Sequence, residues 1–240
     1  MKTIVITGAT RGLGLALVAQ AVQDGYRVIA IGRSLSEELA ALMRVNPDLI
    51  FYESFDLSVL SEIHGLVTDL VKQYGRPWAL INNAALGSDG VLATQHEREI
   101  GDMMRVNVEA PILLTKYFLR PMLIKRGGRI VNISSIIATT GFSGLSVYAA
   151  TKAALIGFTR SLAREVGKSG ITVNAVAPGY METDMTAGLQ GEKLAMIRRR
   201  SPLGHLARPT DVAHAVSYLL SEKAGNITGT TLTVDAGSTA

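Results

Sequence analysis

Residues 7–14 read TGATRGLG and lie between a short apolar run, TIVIT at residues 3–7, and a stretch of helical periodicity at 12–25. A strand followed at once by a glycine-rich turn and a helix is typical of the first unit of a dinucleotide-binding sheet. In that unit Gly8 makes the tight turn, Gly12 lets the backbone approach a pyrophosphate, and Gly14 permits close packing of the helix on the strand. The free N–H groups of the helix would then face the phosphates. The alternative is a plain glycine-rich turn without a ligand.

The rest of the chain repeats this alternation of strand and helix. Six further apolar runs rich in Val and Ile are predicted strands, at residues 27–31, 49–54, 78–82, 129–134, 172–177 and 230–234. Helical patterns follow them at 35–45, 58–75, 95–126, 148–168 and 209–222, with Ser58 and Thr210 as expected N-caps. Seven strands joined by helical crossovers predict an α/β fold: a doubly wound (Rossmann) seven-stranded parallel sheet with helices on both faces, forming a single domain over residues 1–240.

The composition excludes several classes of function. The chain has 240 residues and no cysteine, which rules out disulfides, iron–sulfur clusters and a cysteine nucleophile. Its 24 Lys and Arg against 20 Asp and Glu give a net charge of +4, which is too weakly basic to indicate a nucleic-acid partner. No apolar run approaches about 18 residues, so we expect no membrane span, no signal segment and a cytoplasmic protein. No metal site is expected.

The end of the second strand indicates which dinucleotide is bound. NAD-binding sheets commonly place an acidic residue about 20 residues after the glycines, where it binds the ribose hydroxyls. Here the strand ends in IGRS at residues 31–34, so Arg33 stands near that place, and Arg11 adds a second cation. A guanidinium pairs well with a 2′-phosphate that a carboxylate would repel. The pattern predicts NADP(H); the alternative is that Arg33 is a solvated surface arginine.

Polar residues also follow the third and fourth strands. Asp56, which precedes Leu57, would accept a hydrogen bond from the adenine amine or cap the helix that follows, and the two roles are compatible. After the fourth strand come the two amides and two alanines of NNAA at residues 82–85. These amides would brace the ribose region of the cofactor or tie the fourth strand to its neighbour.

A second group of residues indicates acid–base chemistry. Tyr148 and Lys152, in YAATK, lie one turn apart on one helix face, so the ammonium is expected to lie near the phenol and to lower its pKa. Ser135 ends the fifth strand and would bind a substrate carbonyl, with Ser134 as the competing candidate because alternate side chains face opposite ways. Asn107 is a poor helix former inside a helical pattern, which indicates a functional or a packing role.

Together these residues resemble the short-chain dehydrogenase/reductase family over essentially the whole chain. The resemblance rests on TGATRGLG (7–14), NNAA (82–85), Asn107, Ser135, YAATK (148–152), and Pro178-Gly179 with Thr183. Within the family, the chain is most similar to 3-oxoacyl-[acyl-carrier-protein] reductases. The supporting stretches are GRIVNISS (128–135), YAATKAALIGFTRSLAREV (148–166), GITVNAVAPGYMETDMT (170–186) and ITGTTLTVDAG (227–237).

The resemblance implies roles for these residues. Tyr148 would give a proton to the carbonyl oxygen, Lys152 would lower its pKa and bind the nicotinamide ribose, and Ser135 would polarise the carbonyl. Asn107 would order a water that links Lys152 to solvent. Ala85 stands where the family usually has glycine, and its Cβ could disturb a positive-φ backbone or narrow the adenosine pocket. The implied cofactor-binding residues are Thr7, Gly8, Arg11, Gly12, Leu13, Gly14, Arg33, Asp56, Leu57, Asn83, Ala84, Tyr148, Lys152, Pro178, Gly179 and Thr183.

The substrate side is predicted from residues 184–201, which resemble the family's substrate lid. Their apolar side chains suit an acyl chain, and Arg198–Arg200 would steer an anionic partner or simply complement a helix end. A second basic cluster is of the kind that docks acyl carrier protein: Lys125, Arg126 and Arg129. The apolar lid residues are Met185, Leu189, Leu194, Met196 and Ile197.

The predicted function is therefore NADPH-dependent reduction of a 3-oxoacyl thioester in fatty acid biosynthesis, with acyl carrier protein as a candidate partner. One alternative is a general NADP(H)-dependent carbonyl reductase or alcohol dehydrogenase that acts on small ketones, sugars or steroids. A more remote one is a non-catalytic dinucleotide-binding regulatory protein on the same fold. Small residues along the 148–168 helix, together with the family's habit of pairing that helix with the 95–126 helix, predict a homotetramer.

Overall fold

The structure, a computed structural model, describes residues 1–181 and 198–240. Within these ranges, seven strands form one parallel sheet in the order β3-β2-β1-β4-β5-β6-β7. The strands are β1 Thr3–Thr7, β2 Arg27–Gly32, β3 Ile50–Ser54, β4 Ala79–Asn82, β5 Gly128–Ile133, β6 Ile171–Pro178 and β7 Thr231–Val234. The predicted sheet is confirmed, and each strand starts within one residue of its expected position. That the chain is a single domain stays a prediction.

Eight α-helices have both ends within the described residues. They are α1 Gly12–Gln23, α2 Glu37–Val45, α3 Ile63–Tyr74, α4 Glu97–Met104, α5 Ala110–Lys125, α6 Ile137–Thr140, α7 Ser146–Val166 and α8 Pro209–Leu220. None of the helices in the described ranges is long and apolar enough to cross a membrane.

The helices cover both faces of the sheet because alternate strand side chains point to opposite sides. Ile4 and Ile6 of β1 belong to one core, which α1, α2 and α8 complete. Val5, between them, belongs to the other core, under α3, α5 and α7. All three side chains are fully buried. Burial on both faces explains why the strands are near-continuous apolar runs.

The structure differs from the sequence-based expectation in the region predicted as one helix over 95–126. A π-helical turn, Arg105–Glu109, separates α4 from α5. Asn107 lies inside that turn and is fully buried. Insertion of one extra residue into a helix creates such a turn, and π-turns are frequent at functional sites.

The two expected N-caps are wrong. Ser58 lies in a turn whose backbone is bound by the carboxylate of Asp56, and α3 starts five residues later, at Ile63. Thr210 lies inside the first turn of α8, where Arg208 is the N-cap and Pro209 is the first helical residue. Proline fits that first position because its missing N–H would have no intrahelical partner there.

The order of the strands fixes where a ligand is expected to bind. The chain builds β1, β2 and β3 toward one edge of the sheet, and then crosses to β4 on the other side of β1. This reversal leaves a crevice at the carboxyl ends of β1 and β4, which is where open α/β sheets bind ligands. The glycine-rich turn, the NNAA segment and the ends of β5 and β6 all lie along this edge.

Candidate active site

The glycine-rich turn after β1 is folded tightly against the start of α1. Gly8 and Gly12 have φ of +62° and +53°, a region that L side chains rarely adopt. A Cβ on Gly14 would lie 1.9 Å from the carbonyl oxygen of Gly8, so only glycine lets the turn and helix approach this closely. No side chain caps the N-terminus of α1, and its first turn holds no acidic residue. The turn therefore presents helix N–H groups and a positive dipole end, which fits a pyrophosphate.

Three predicted cofactor residues hold this turn in place. The Thr7 hydroxyl, which is buried, accepts hydrogen bonds from the backbone N–H groups of Asn83 and Ala84, both at 3.0 Å. The side-chain amide of Asn83 donates to the carbonyl oxygens of Thr7 and Gly8, at 2.9 and 3.1 Å. Of the two roles expected for the amides, Asn83 therefore has the one that ties the fourth strand to its neighbour.

The neighbouring Asn82 has the same kind of role on the other side of β4. Its amide nitrogen donates to the side chain of Asn132 on β5 at 2.8 Å, and to the hydroxyl of Thr115 on α5 at 3.1 Å. Ala85, which stands where the family usually has glycine, does not have a positive φ. In the described ranges, the non-glycine residues with a positive φ are Arg126 and Ala236. The expected strain at Ala85 is therefore wrong.

Cationic side chains flank the turn at the end of β2. Arg11 and Arg33 are both exposed, and no acid follows β2 within IGRS. The Ser36 hydroxyl donates to the backbone oxygen of Thr10 at 2.5 Å and caps α2, so the loop that carries Arg33 is fixed to the glycine-rich turn. These groups fit a cofactor with an additional phosphate near its adenosine.

The predicted adenine-side residues divide into one exposed and one buried. The exposed carboxylate of Asp56 accepts a hydrogen bond from the backbone N–H of Ser58 at 2.9 Å. That bond is the main reason why the pKa of Asp56 is lowered, and the charge of Arg33 contributes in the same direction. Leu57 is buried in the core beneath α3, so its side chain packs rather than facing a ligand.

Ser134 and Ser135 end β5 and face opposite ways, as alternation requires. The buried Ser134 hydroxyl donates to the carbonyl oxygen of Lys152 at 2.9 Å, which fixes α7 to the strand. Ser135, in contrast, is hydrogen-bonded to the phenol of Tyr148. The structure thus brings together the two predicted hydroxyl donors, and Ser134 has a packing role.

Lys152 lies beneath Tyr148 on the same face of α7. Its ammonium is buried, donates to the carbonyl oxygen of Ile133 at 2.9 Å, and lies 5.6 Å from the centroid of the Tyr148 ring. Burial lowers the pKa of Lys152 from 10.5 to about 8. Both the proximity of the two side chains and their shared helix face agree with the i, i+4 spacing.

The expected direction of the Tyr148 pKa is wrong for this structure. Burial raises the pKa of Tyr148 to about 12, and the hydrogen bond from Ser135 offsets only part of that rise. A phenol shielded from water loses the solvation that its charged form needs, so burial is the largest cause of the raised pKa. The phenol is therefore protonated at neutral pH, as a proton donor must be.

Asn107 joins the π-turn to two neighbouring segments. Its side-chain oxygen accepts from the N–H of Leu86 at 2.7 Å, and its nitrogen donates to the Leu86 carbonyl at 2.8 Å and to the Thr151 hydroxyl at 3.1 Å. The amide thus fixes the loop after β4 to α7 beside Lys152. Its expected water-ordering role stays a prediction, and the contacts show a packing role for the side chain.

The segment after β6 completes the site. A Cβ on Gly179 would lie 2.6 Å from the Cβ of Asp235, so glycine allows this turn to pack against the segment after β7. The carbonyl of Pro178 accepts from the N–H of Ile136 at 3.0 Å, which joins the ends of β5 and β6. Thr183, and the lid as far as residue 197, lie outside the described residues.

The sequence reasoning missed Tyr180. Its hydroxyl is buried without a hydrogen-bond partner among the described residues. Its ring packs edge-on against that of Phe142, with the ring centroids 6.0 Å apart. It contributes to the raised pKa of Tyr148, and the hydrogen bond from Ile136 to Pro178 places its segment beside Ser135 at the carboxyl end of the sheet. The signal that could have found it was its position immediately after Pro178-Gly179, at the carboxyl end of a central strand.

The predicted basic docking cluster is partly wrong. Arg129 is 4% exposed, and its guanidinium lies over the ring of Trp78, 4.9 Å from the centroid. Because it begins β5, it lies at the opposite end of that strand from Ser135. Lys125 and Arg126 are exposed at that same end. Arg129 therefore packs the base of the sheet and is not available for docking.

The arrangement as a whole can bind and protonate a carbonyl oxygen. Ser135 and Tyr148 supply two hydroxyl donors, and Lys152 lies beneath them, all beside a turn that fits a dinucleotide phosphate. Within residues 1–181 and 198–240, no group of three His, Asp or Glu side chains could hold a metal ion.

Comparisons with known proteins point to the same chemistry. A family model described as "Enoyl-(Acyl carrier protein) reductase" matches residues 8–239. The chain is 38% identical to the 3-oxoacyl-[acyl-carrier-protein] reductase FabG of Vibrio cholerae, over 98% of this chain and 96% of the relative. It is 39% identical to that of Haemophilus influenzae, over 98% and 97%. The structure also matches that of a protein described as an NAD(P) dependent gluconate 5-dehydrogenase of Beutenbergia cavernae, with bound NADP at low occupancy. The TM-score is 0.94 and the identity 32%, over 99% of this chain and 96% of that one.

Proposed function

This chain belongs to the short-chain dehydrogenase/reductase family, and from that premise we propose that it is an NADPH-dependent reductase of 3-oxoacyl thioesters. The observation that carries the proposal is the placement of Ser135, Tyr148 and Lys152 beside the glycine-rich turn. The full-length similarity to 3-oxoacyl-[acyl-carrier-protein] reductases supports the choice of substrate.

The proposed mechanism assigns one step to each side chain. When bound, NADPH supplies the hydride that reduces the ketone carbon. Ser135 donates a hydrogen bond to the ketone oxygen and holds it against Tyr148. Tyr148, protonated at neutral pH because its pKa is raised, gives its proton to that oxygen. Lys152 keeps a positive charge next to the phenol as negative charge develops there, and it lies where it would bind the nicotinamide ribose.

The residues around the glycine-rich turn would hold the cofactor. The N–H groups at the start of α1 would bind the pyrophosphate, and Gly8, Gly12 and Gly14 let the protein backbone approach it closely. Arg33, with Arg11 beside the turn, would pair with the 2′-phosphate. The loop of Arg33 is already fixed by Ser36, so little ordering is needed on binding.

Arg33→Asp is expected to reverse the preference for NADPH. The variant removes a charge-assisted hydrogen bond and adds repulsion of the 2′-phosphate, so the ratio of kcat/KM for NADPH to that for NADH should fall about 10- to 100-fold. The measurement is kcat/KM with both cofactors and one ketone. Arg44→Asp, on exposed α2, is the matched control and should leave the ratio unchanged. An unchanged ratio in Arg33→Asp, or equal use of NADH by the wild type, contradicts the assignment.

A second function has a specific observation in its favour. One solved structure that this chain matches is described as an NAD(P) dependent gluconate 5-dehydrogenase, which supports a general NADP(H)-dependent carbonyl reductase of small ketones, sugars or steroids as the second candidate on this fold. The difference would lie in the residues that surround the substrate. The non-catalytic alternative predicts a broken catalytic set, whereas Asn107, Ser135, Tyr148 and Lys152 are all present.

A substrate survey tests the proposed function. NADPH oxidation is measured with acetoacetyl and medium-chain 3-oxoacyl thioesters, with 5-ketogluconate and with simple ketones. We expect the highest kcat/KM on a 3-oxoacyl thioester. A higher kcat/KM on the sugar acid or on a simple ketone contradicts the proposed substrate and favours the second function. Absence of turnover on every ketone, with NADPH still bound, favours the non-catalytic alternative.

The remaining proposals concern assembly and partners. We infer a homotetramer in the cytoplasm, with acyl carrier protein as the candidate donor of substrate. A stripe of exposed small residues along α7, Ala150, Ala153, Gly157 and Ser161, supports close approach of another helix. A Cβ on Gly157 would meet nothing within 4 Å in this chain, so the space above it is open to a partner. Arg126 is exposed and is proposed as a contact for the carrier protein, although it lies at the end of β5 opposite Ser135.

A further inference from the structure

The two ketone-binding groups leave one buried donor unused. Ser135 and Tyr148 are hydrogen-bonded to each other and together serve a single carbonyl oxygen, which has two lone pairs to accept from them. Tyr180 adds a third hydroxyl to the same site, and it has no partner among the described residues. Buried polar groups in folded proteins are nearly always hydrogen-bonded, so an unpartnered phenol here points to an acceptor that a ligand brings.

The segment that carries Tyr180 is fixed at the carboxyl ends of β5 and β6. The backbone before it is held by the hydrogen bond from Ile136 to Pro178 and by that from Gly179 to Val234, at 3.0 and 2.9 Å. Phe142, from the loop between α6 and α7, packs edge-on against the ring. Burial raises the pKa of Tyr180, and nearby Asp89 adds to the rise while Arg200 opposes it. The phenol is therefore a hydrogen-bond donor at neutral pH.

We propose that Tyr180 is a specificity-determining residue, whose hydroxyl donates a hydrogen bond to the second carbonyl oxygen of a 1,3-dicarbonyl substrate while Ser135 and Tyr148 bind the ketone oxygen. The inference rests on the proposed function, because in a 3-oxoacyl thioester the second acceptor is the thioester carbonyl, two carbons from the ketone.

The consequence is a preference that simple ketones cannot satisfy. A monoketone occupies Ser135 and Tyr148 but leaves the hydroxyl of Tyr180 buried and unpaired, which penalises its binding. A site built to hydrogen-bond a polar group rejects an analogue that lacks it far more strongly than an apolar pocket rejects a missing methylene. Tyr180 thus provides discrimination between dicarbonyl and monocarbonyl substrates that share all of the reacting atoms.

The test compares 2,4-pentanedione with 2-pentanone, which share one carbon skeleton and differ only in the second carbonyl. The measurement is kcat/KM with NADPH for the wild type and for Tyr180→Phe, which keeps the ring and its contact with Phe142. We expect the preference for 2,4-pentanedione to fall about 10- to 100-fold in Tyr180→Phe, through loss of activity on the dicarbonyl. Tyr218→Phe, an exposed tyrosine on α8, is the matched control and should keep the preference.

Each outcome decides between a binding role and a structural one. An equal loss on both ketones, or a weakened affinity for NADPH measured by fluorescence titration, shows that Tyr180 only supports the fold and overturns the inference. An unchanged preference overturns it as well. The proposed function is tested separately with acetoacetyl-CoA as the substrate. If the wild type prefers 2,4-pentanedione to 2-pentanone but does not reduce the thioester, the assigned substrate is wrong, and the role of Tyr180 in binding the second carbonyl still holds.

Discussion

Tyr148→Phe is expected to lower kcat for ketone reduction by roughly 10²–10⁴-fold, the usual contribution of a positioned general acid. The variant removes one oxygen atom and keeps the ring, so the packing of α7 should be unaffected. Ser135 would still bind the ketone oxygen, but no group of suitable geometry would protonate it. Because the pKa of Tyr148 is about 12, the wild-type phenol carries this proton throughout the neutral pH range.

The measurement combines turnover with cofactor affinity. NADPH oxidation gives kcat, and fluorescence titration gives the Kd for NADPH, which should be unchanged because the glycine-rich turn is intact. Tyr218→Phe, at the exposed surface, should retain full activity. Substantial activity in Tyr148→Phe would show that another group gives the proton, and the mechanism would have to be reassigned.

The fold could be predicted closely because its signal is local and repeated. Each strand buries both faces, so each appears as a short apolar run, and the seven runs recur at helical spacing. The family pattern favours Ser135 over Ser134 as the partner of Tyr148, because Tyr148 follows Ser135 by a step of thirteen residues. The hydrogen bonds agree, because Ser134 binds the backbone of α7.

What could not be predicted depends on contacts distant in sequence. The π-turn around Asn107 exists together with hydrogen bonds to Leu86 and Thr151, which lie 21 and 44 residues away. Arg129 was expected on the surface, but Trp78 from the neighbouring strand covers it. Likewise, the direction of the Tyr148 pKa depends on how much of the phenol other segments bury, which no spacing encodes.

Tyr180 illustrates a different limit. An aromatic residue after a strand is most often a core residue, and nothing in the letters PGY distinguishes a satisfied phenol from an unsatisfied one. Only the coordinates show that its hydroxyl is buried without a partner in the described part of the chain. A functional residue of this kind is recognised because its buried hydroxyl lacks a hydrogen-bond partner. A sequence pattern does not show whether a hydroxyl has such a partner.

Lys152→Met is expected to abolish reduction. The free energy of unfolding of the variant, minus that of the wild type, should also be larger at neutral pH than at alkaline pH. Burial lowers the pKa of Lys152 from 10.5 to about 8. Between these values the unfolded chain binds a proton that the folded chain does not, so the free energy of unfolding rises with pH in this range. Below pH 8 both states are protonated, and the folded state then bears the full penalty of a buried ammonium, about 3 kcal/mol.

The measurement is urea unfolding of the wild type and of Lys152→Met at pH 7 and at pH 10.5. The difference in unfolding free energy, variant minus wild type, should decrease by about 3 kcal/mol from the lower pH to the higher. Comparing the two proteins removes the contribution of every other group that titrates in this range. Lys72→Met, on exposed α3, is the matched control and should show no such change. A difference that does not vary with pH would mean that Lys152 titrates normally in the folded protein.

The two effects of Lys152→Met have one physical origin. The ammonium is buried because it must lie next to Tyr148, and the carbonyl of Ile133 is its only hydrogen-bond acceptor among the described residues. A methionine would fill the same space without a charge, so selection for stability alone would favour it. In the proposed reaction, negative charge develops on the Tyr148 oxygen, and a desolvated cation stabilises that charge more strongly than a solvated one. If Lys152→Met has a higher free energy of unfolding at pH 7 and a lower kcat, the buried charge lowers stability and supports catalysis. If both quantities fall, Lys152 stabilises the fold.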